Sequence, residues 1–105
     1  MTDYIIDDAS LHYAASKSAK YRQFVTERFS VFVKFLQDND LTTTTLLDAG
    51  EMPSEDLKIM KSDLTEDGFE VVKSAYDKWL RGIDNGNPID DTRTLEKSLA
   101  KVRRK

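Results

Sequence analysis

Residues 20–36 read K-Y-R-Q-F-V-T-E-R-F-S-V-F-V-K-F-L. Tyr21, Phe24, Val25, Phe32, Phe35 and Leu36 recur at three- and four-residue steps, and Phe29 and Val31 widen the stripe. Such spacing lines up one face of an α-helix. No other segment packs aromatics so closely, so the stretch predicts the central core helix, with the remainder of the chain folded about it.

Upstream, Tyr4, Ile5 and Ile6 form a small apolar knot, suited to a short strand or an extended arm laid on the core. Asp7 or Asp8 is placed to cap a helix starting near Ala9. Ser16 and Ser18 are weak helix formers. The pattern therefore allows one long helix from about 9 to 37 or two helices meeting near Ser16–Ser18. Asp38-Asn39-Asp40 closes it, because short polar side chains tolerate the left-handed backbone of a helix end.

Downstream, L-T-T-T-T-L-L at 41–47 suits a strand or a short capped helix, since β-branched Thr loses rotamer freedom inside a helix. Asp48-Ala49-Gly50-Glu51 and Pro53-Ser54 are turn material. A hairpin pairing about 44–47 with 57–60 competes with a single helical turn after Pro53. Thr65 reads as an N-cap, with Glu66 and Asp67 in the first turn where the helix dipole favours anions. The helix it opens runs to about Ile83. Phe69, Val72, Tyr76, Leu80 and Ile83 form its stripe, with Val71, Ala75 and Trp79 on the flank. D-N-G-N-P at 84–88 stops it. A last helix after Asp90 or Asp91 carries Leu95, Leu99 and Val102 and ends in basic residues that suit a helix C-terminus. The expected fold is all-α: a compact bundle of three to four helices, with room for a small β-hairpin near residues 44–60.

At 105 residues the chain has the length of one domain, enough to bury roughly 60–70% of its unfolded surface. With no cysteine, disulfides and thiolate metal sites are excluded. No apolar run nears the roughly 20 residues that span a bilayer. M-T-D-Y-I-I-D-D lacks the pattern of a secretory signal, so the expected compartment is the cytoplasm. The net charge of −3 conceals an uneven layout. From Asp38 to Glu70 ten acidic residues face two basic ones, a balance of −8, whereas Lys97–Lys105 holds five basic residues and no acidic one. Opposite ends of the sequence thus suit different partners.

No catalytic constellation stands out. His12 is the only histidine, with Asp8 its only acidic neighbour at helical spacing, and it reads as a surface or partly buried side chain. Asp84, Asn85, Asn87, Asp90 and Asp91 offer many oxygens, but Gly86 and Pro88 occupy places where a calcium loop needs ligands. Glu55-Asp56 and Glu66-Asp67 pair carboxylates beside turns and caps, which accounts for them without catalysis. Tyr21, Phe24, Tyr76 and Trp79 would line an aromatic pocket in a small enzyme or carrier, yet aromatics at helical spacing belong first to a core. No cofactor or metal is implied.

D-L-T-E-D-G-F at 63–69, A-Y-D-K-W-L at 75–80 and I-D-N-G at 83–86 together resemble small bacterial proteins, some of which occur beside polymorphic toxin systems as immunity or orphan-immunity proteins. The likeness covers the C-terminal half. It implies a small protein that binds and blocks a partner, and it transfers no catalytic residue. The leading expectation is a non-enzymatic inhibitor that docks an acidic surface, Asp48, Glu51, Glu55, Asp56, Glu66 and Asp67, onto a cationic toxin. Leu46, Leu47, Met52 and Met60 are candidates for an apolar contact centre inside that rim. The alternative is a nucleic-acid-associated regulator that uses the basic C-terminal helix through Lys101, Arg103, Arg104 and Lys105.

Overall fold

The structure is a computed structural model in which residues 5–8, 18–48, 50–53 and 57–104 are described. In chain order these residues form strand β1 (Ile5–Asp8), helix α1 (Ala19–Asp38), strand β2 (Lys58–Met60), a 3₁₀ turn (Lys61–Asp63), helix α2 (Glu66–Asp84) and helix α3 (Arg93–Arg103). The helical bundle expected from the sequence forms, with a small two-stranded antiparallel sheet beside it.

Helix α1 starts because Ser18 is extended (φ −140°, ψ 156°) and its hydroxyl accepts the Tyr21 N–H at 3.1 Å. A continuous helix through Ser18 is thereby ruled out, while the expected helix from about Ala9 falls on residues outside the described ones. Asp40, in the left-handed conformation at φ 57°, turns the chain after the helix. Val25, Phe29, Phe32, Phe35 and Leu36 are buried as the spacing predicts, and Val33 joins them. Tyr21 does not: it is 42% exposed, and it stacks on Phe24 instead. The core thus lies along the C-terminal half of α1. There Phe32 stacks on Tyr76 (centroids 4.1 Å apart) and on Trp79 (5.9 Å). Burying a ring such as Phe32 stabilises the fold by roughly 1.5–3 kcal/mol.

Thr65 caps α2, its hydroxyl accepting the Gly68 N–H at 3.0 Å. The buried line of this helix is Gly68, Val71, Val72, Ala75, Trp79 and Ile83. The seam is therefore rotated from the expected stripe: Val71, Ala75 and Trp79 are central, whereas Phe69, Tyr76 and Leu80 are half-buried. The reason is that α2 is covered on two sides, and its deepest line runs where α1 and α3 both reach it. Ser74 meets Ser98 and Trp79 meets Asp91, so α2 and α3 run antiparallel. Leu95 and Leu99 of α3 are buried and Val102 is half-buried.

The strand expected near 57–60 forms at Lys58–Met60, but its partner is the N-terminal arm and not 44–47. Ile5 faces Met60, and a bulge precedes the Asp7–Ile59 pair. Ile59 is fully buried, which orients the strand. Residues 41–47 are irregular, bridging at Thr42–Leu64 only. Four consecutive β-branched or apolar residues lack the alternation that a two-faced strand needs.

Leu41 joins α1 to α2. Its N–H donates to the Leu36 carbonyl at 2.9 Å, and its own carbonyl accepts the Thr65 N–H at 2.9 Å. Gly68 packs against this residue so closely that an added Cβ would sit 2.3 Å from the Leu41 oxygen. Replacing Gly by Ala inside a helix ordinarily stabilises by up to about 1 kcal/mol. Here Gly68→Ala should instead destabilise by about 1–3 kcal/mol, read as a lower urea midpoint with unchanged slope.

Candidate functional site

The acid-rich stretch is held to the bundle by its buried apolar residues, which leaves Asp48, Glu51, Glu66 and Asp67 exposed. Leu41, Leu47, Ile59 and Leu64 are buried. The Gln37 side chain clamps the loop: its carbonyl accepts the N–H groups of Leu46 (2.6 Å) and Leu47 (2.8 Å), and its amide donates to the Leu47 carbonyl at 2.9 Å. Thr43 adds a backbone bond to Asp63 (2.8 Å) and a hydroxyl bond to the Ser62 carbonyl (2.6 Å). Beyond the clamp, Asp48 to Glu51 forms a turn closed by the Glu51 N–H on the Asp48 carbonyl at 2.9 Å. Gly50, at φ 81°, supplies its left-handed step.

Asp48 and Glu51 are exposed, and the Glu51 carboxylate accepts the Asp48 N–H at 3.3 Å. Glu66 and Asp67 are exposed in the first turn of α2, where they also complement the helix dipole. Glu55 and Asp56 lie outside the described residues. The structure does not gather these acids at one cleft. Glu66 and Asp67 line a groove with Lys61, Phe69, Glu70 and Val102, whereas Asp48 and Glu51 neighbour Met52 on the loop. Asp63 has an internal task, accepting the Met60 N–H at 2.9 Å.

Of the four apolar residues expected to form a contact centre, Leu47 is buried, Leu46 and Met60 are half-buried, and Met52 is 48% exposed. Met52 lies in an open groove of about 830 Å³ with Phe24, Val31, Ile83, Pro88 and Ile89. Glu27, Asp90 and Lys34 contribute its charged groups. Sequence reasoning missed this groove, because its lining comes from α1, the 41–53 loop and the α2–α3 connection. Only the exposed Met beside an acidic turn hinted at it.

The basic end is divided. Arg103 donates from Nη2 to the Asn39 carbonyl at 2.6 Å, tying α3 to the end of α1, and Arg104 is exposed at the end of α3. Lys101 lines a cleft between α2 and α3, while Lys105 is outside the described residues. The aromatic pocket does not assemble. Trp79 is buried and donates from Nε1 to the Asp91 carbonyl at 2.8 Å, and Tyr76 is stacked in the core, while Tyr21 and Phe24 stack on each other. His12 is outside the described residues. Among the described residues no three His, Cys, Asp or Glu side chains converge as a metal site, and no helix is long and apolar enough to cross a membrane.

The oxygen-rich α2–α3 connection builds a helix start. Asp91 receives the Arg93 guanidinium from Nε (2.9 Å) and Nη2 (2.7 Å), and the Arg93 N–H at 3.2 Å. The side-chain bonds from Arg93, then its N–H, lower the Asp91 pKa from 3.8 to about 2, and the same contact raises that of Arg93. Arg93 is 79% exposed, so water screens the pair and its contribution is small. No protein-family model matches the chain, nor does any curated protein or solved structure.

Because the folded pKa of Asp91 is depressed, the pair's contribution is complete above about pH 4 and fades as pH falls towards about 2. Wild type should therefore melt higher than Asp91→Asn near neutrality, and the gap should close across that interval. Thermal melts of both proteins from pH 7 to 2 read it directly.

Proposed function

We propose that this chain is a non-enzymatic protein-binding module, an immunity- or antitoxin-like inhibitor that docks an acidic surface onto a cationic toxin in the cytoplasm. The observation that carries this reading is the Met52 groove beside the Asp48–Glu51 turn. It offers apolar area rimmed by Glu27, Asp90 and Lys34, with the exposed Asp48 and Glu51 close to Met52 in the chain. Apolar centre and charged rim are the usual anatomy of a protein interface. The carboxylates would raise the encounter rate with a basic surface, and the groove would slow dissociation once water leaves it. The sequence resemblance points to the same class of protein.

Within this reading Glu66 and Asp67 extend the negative field and are not part of the contact centre. Long-range attraction requires their charge and not their adjacency. Glu55 and Asp56 follow Met52 closely in the chain and belong with the docking loop.

The test is binding to the product of the adjacent gene, measured by surface plasmon resonance. Raising salt from about 50 to 500 mM should lower the association rate at least about tenfold. Asp48→Lys, Glu51→Lys, Glu55→Lys and Asp56→Lys combined should weaken affinity at least about a hundredfold, mainly through association, and Met52→Ala should chiefly accelerate dissociation. Unchanged affinity in the four-site variant would place the interface elsewhere on the molecule.

A further inference from the structure

The antiparallel seam of α2 and α3 opens to solvent as a cleft of about 430 Å³ that the proposed docking surface does not use. Lys78 reaches it from α2, and Lys97 and Lys101 from α3, with Ser74, Thr94 and Ser98 between them. Ala75 and Val102 supply apolar lining. Thr94 and Lys97 also line an adjoining cleft of about 290 Å³ that includes Asn87 and Arg93.

The charge arrangement is costly without a ligand. Lys97 and Lys101 stand one turn apart on α3, where like charges destabilise a helix by a few tenths of a kcal/mol. Among the described residues, none of the Lys78, Lys97 and Lys101 side chains forms an ion pair or hydrogen bond, and Glu70 is the single acid that lines this cleft. Since Ser74 faces Ser98, the antiparallel register sets Glu70 near Val102 and Lys78 near Thr94. Lys78 thus stands at the opposite end of the cleft from Glu70, and Asp91, which lines the adjoining cleft with Thr94 and Lys97, is paired with Arg93. Ser74 Oγ lies 2.8 Å from the Glu70 carbonyl and 2.5 Å from Ser98 Oγ, so Ser74 donates to the carbonyl and Ser98 in turn donates to Ser74, which commits both protons. The Thr94 hydroxyl has no partner among the described residues.

We propose that this cleft binds a small anion carrying two or more linked phosphoryl groups. Three ammonium groups on two helices, about 6 Å apart along α3, suit an extended polyanion better than a single phosphate. Lysine contributes compact charge, and the Thr94 hydroxyl contributes direction. The phosphoryl groups lie between Lys78 and Lys97, with Lys101 beyond, and whatever polar group the ligand carries at its other end meets Glu70.

Titration of the full chain with sodium tripolyphosphate at about 50 mM salt, followed by amide NMR, tests this. The expected result is saturable one-to-one binding, with shifts concentrated at Ser74, Lys78, Thr94, Lys97, Ser98 and Lys101. Lys78→Gln with Lys97→Gln should weaken it at least about tenfold at a melting temperature no lower than that of wild type, whereas Arg104→Gln should leave it unaltered. ATP in place of tripolyphosphate shows whether a nucleoside adds affinity at the Glu70 end. Shifts that fail to saturate, or that spread over lysines throughout the surface, overturn the proposal. So does tight binding of a single-stranded oligonucleotide that is lost in Arg104→Gln while tripolyphosphate does not bind, because the terminal basic helix would then be the anion site.

Discussion

The fold depends on how the end of α1 is tied to the beginning of α2 through one residue, Leu41. Its side chain is fully buried, its N–H closes the last turn of α1, and its carbonyl receives both the N–H and the hydroxyl of Thr65. The Thr65 hydroxyl is also the cap of α2, so a single carbonyl–hydroxyl contact sets where one helix stops and the next starts. Gly68 then presents no side chain, and the helix comes down onto the Leu41 backbone. A buried carbonyl left without its donors would cost about 1–3 kcal/mol. The geometry is therefore defended by both packing and polar satisfaction.

Once that junction is made, the placement of the acids follows. The chain from 41 to 64 must return to the start of α2, and its apolar residues are drawn inwards at Leu41, Leu47, Ile59 and Leu64. Asp48 and Glu51 between them are left facing water, where charge carries little desolvation cost and is free to act at a distance. Gln37 matters for the same reason. It answers the backbone groups of Leu46 and Leu47, which have no strand partner, so a loop without regular structure holds a defined path. The opposite sign collects on the α2–α3 seam, whose cleft meets the groove lined by Glu66 and Asp67 at Glu70 and Val102.

Periodicity was sufficient wherever one segment decided its own structure. The α1 aromatics, the Thr65 cap with its acidic first turn, the D-N-G-N-P stop and the Leu95–Leu99 line are local signals, because hydrogen bonding within a turn and apolar spacing act over a few residues. Periodicity failed where two partners competed. In α2 it set Phe69, Tyr76 and Leu80 on the stripe and Val71, Ala75 and Trp79 on the flank, since spacing within one helix does not tell which face its neighbours cover. It left 57–60 between a hairpin with 44–47 and a helical turn after Pro53, whereas the strand that forms pairs with the arm at Ile5–Asp8. Strand pairing is a contest between segments distant in sequence, and Thr42–Thr45 offered no alternating face with which to win it.

For the candidate sites the division is similar. That the middle of the chain is acidic, that its last residues are basic, and that the core is aromatic were all determined by the amino-acid sequence alone, because composition and local charge do not depend on the fold. Only the tertiary structure decided that Met52 is the exposed apolar residue of the acidic stretch, that Glu66 and Asp67 stand apart from Asp48 and Glu51, that Arg103 is spent on Asn39, and that Lys78 meets Lys97 and Lys101 across a seam. Each of these depends on which helix faces which, and that is set by packing between segments far apart in the chain.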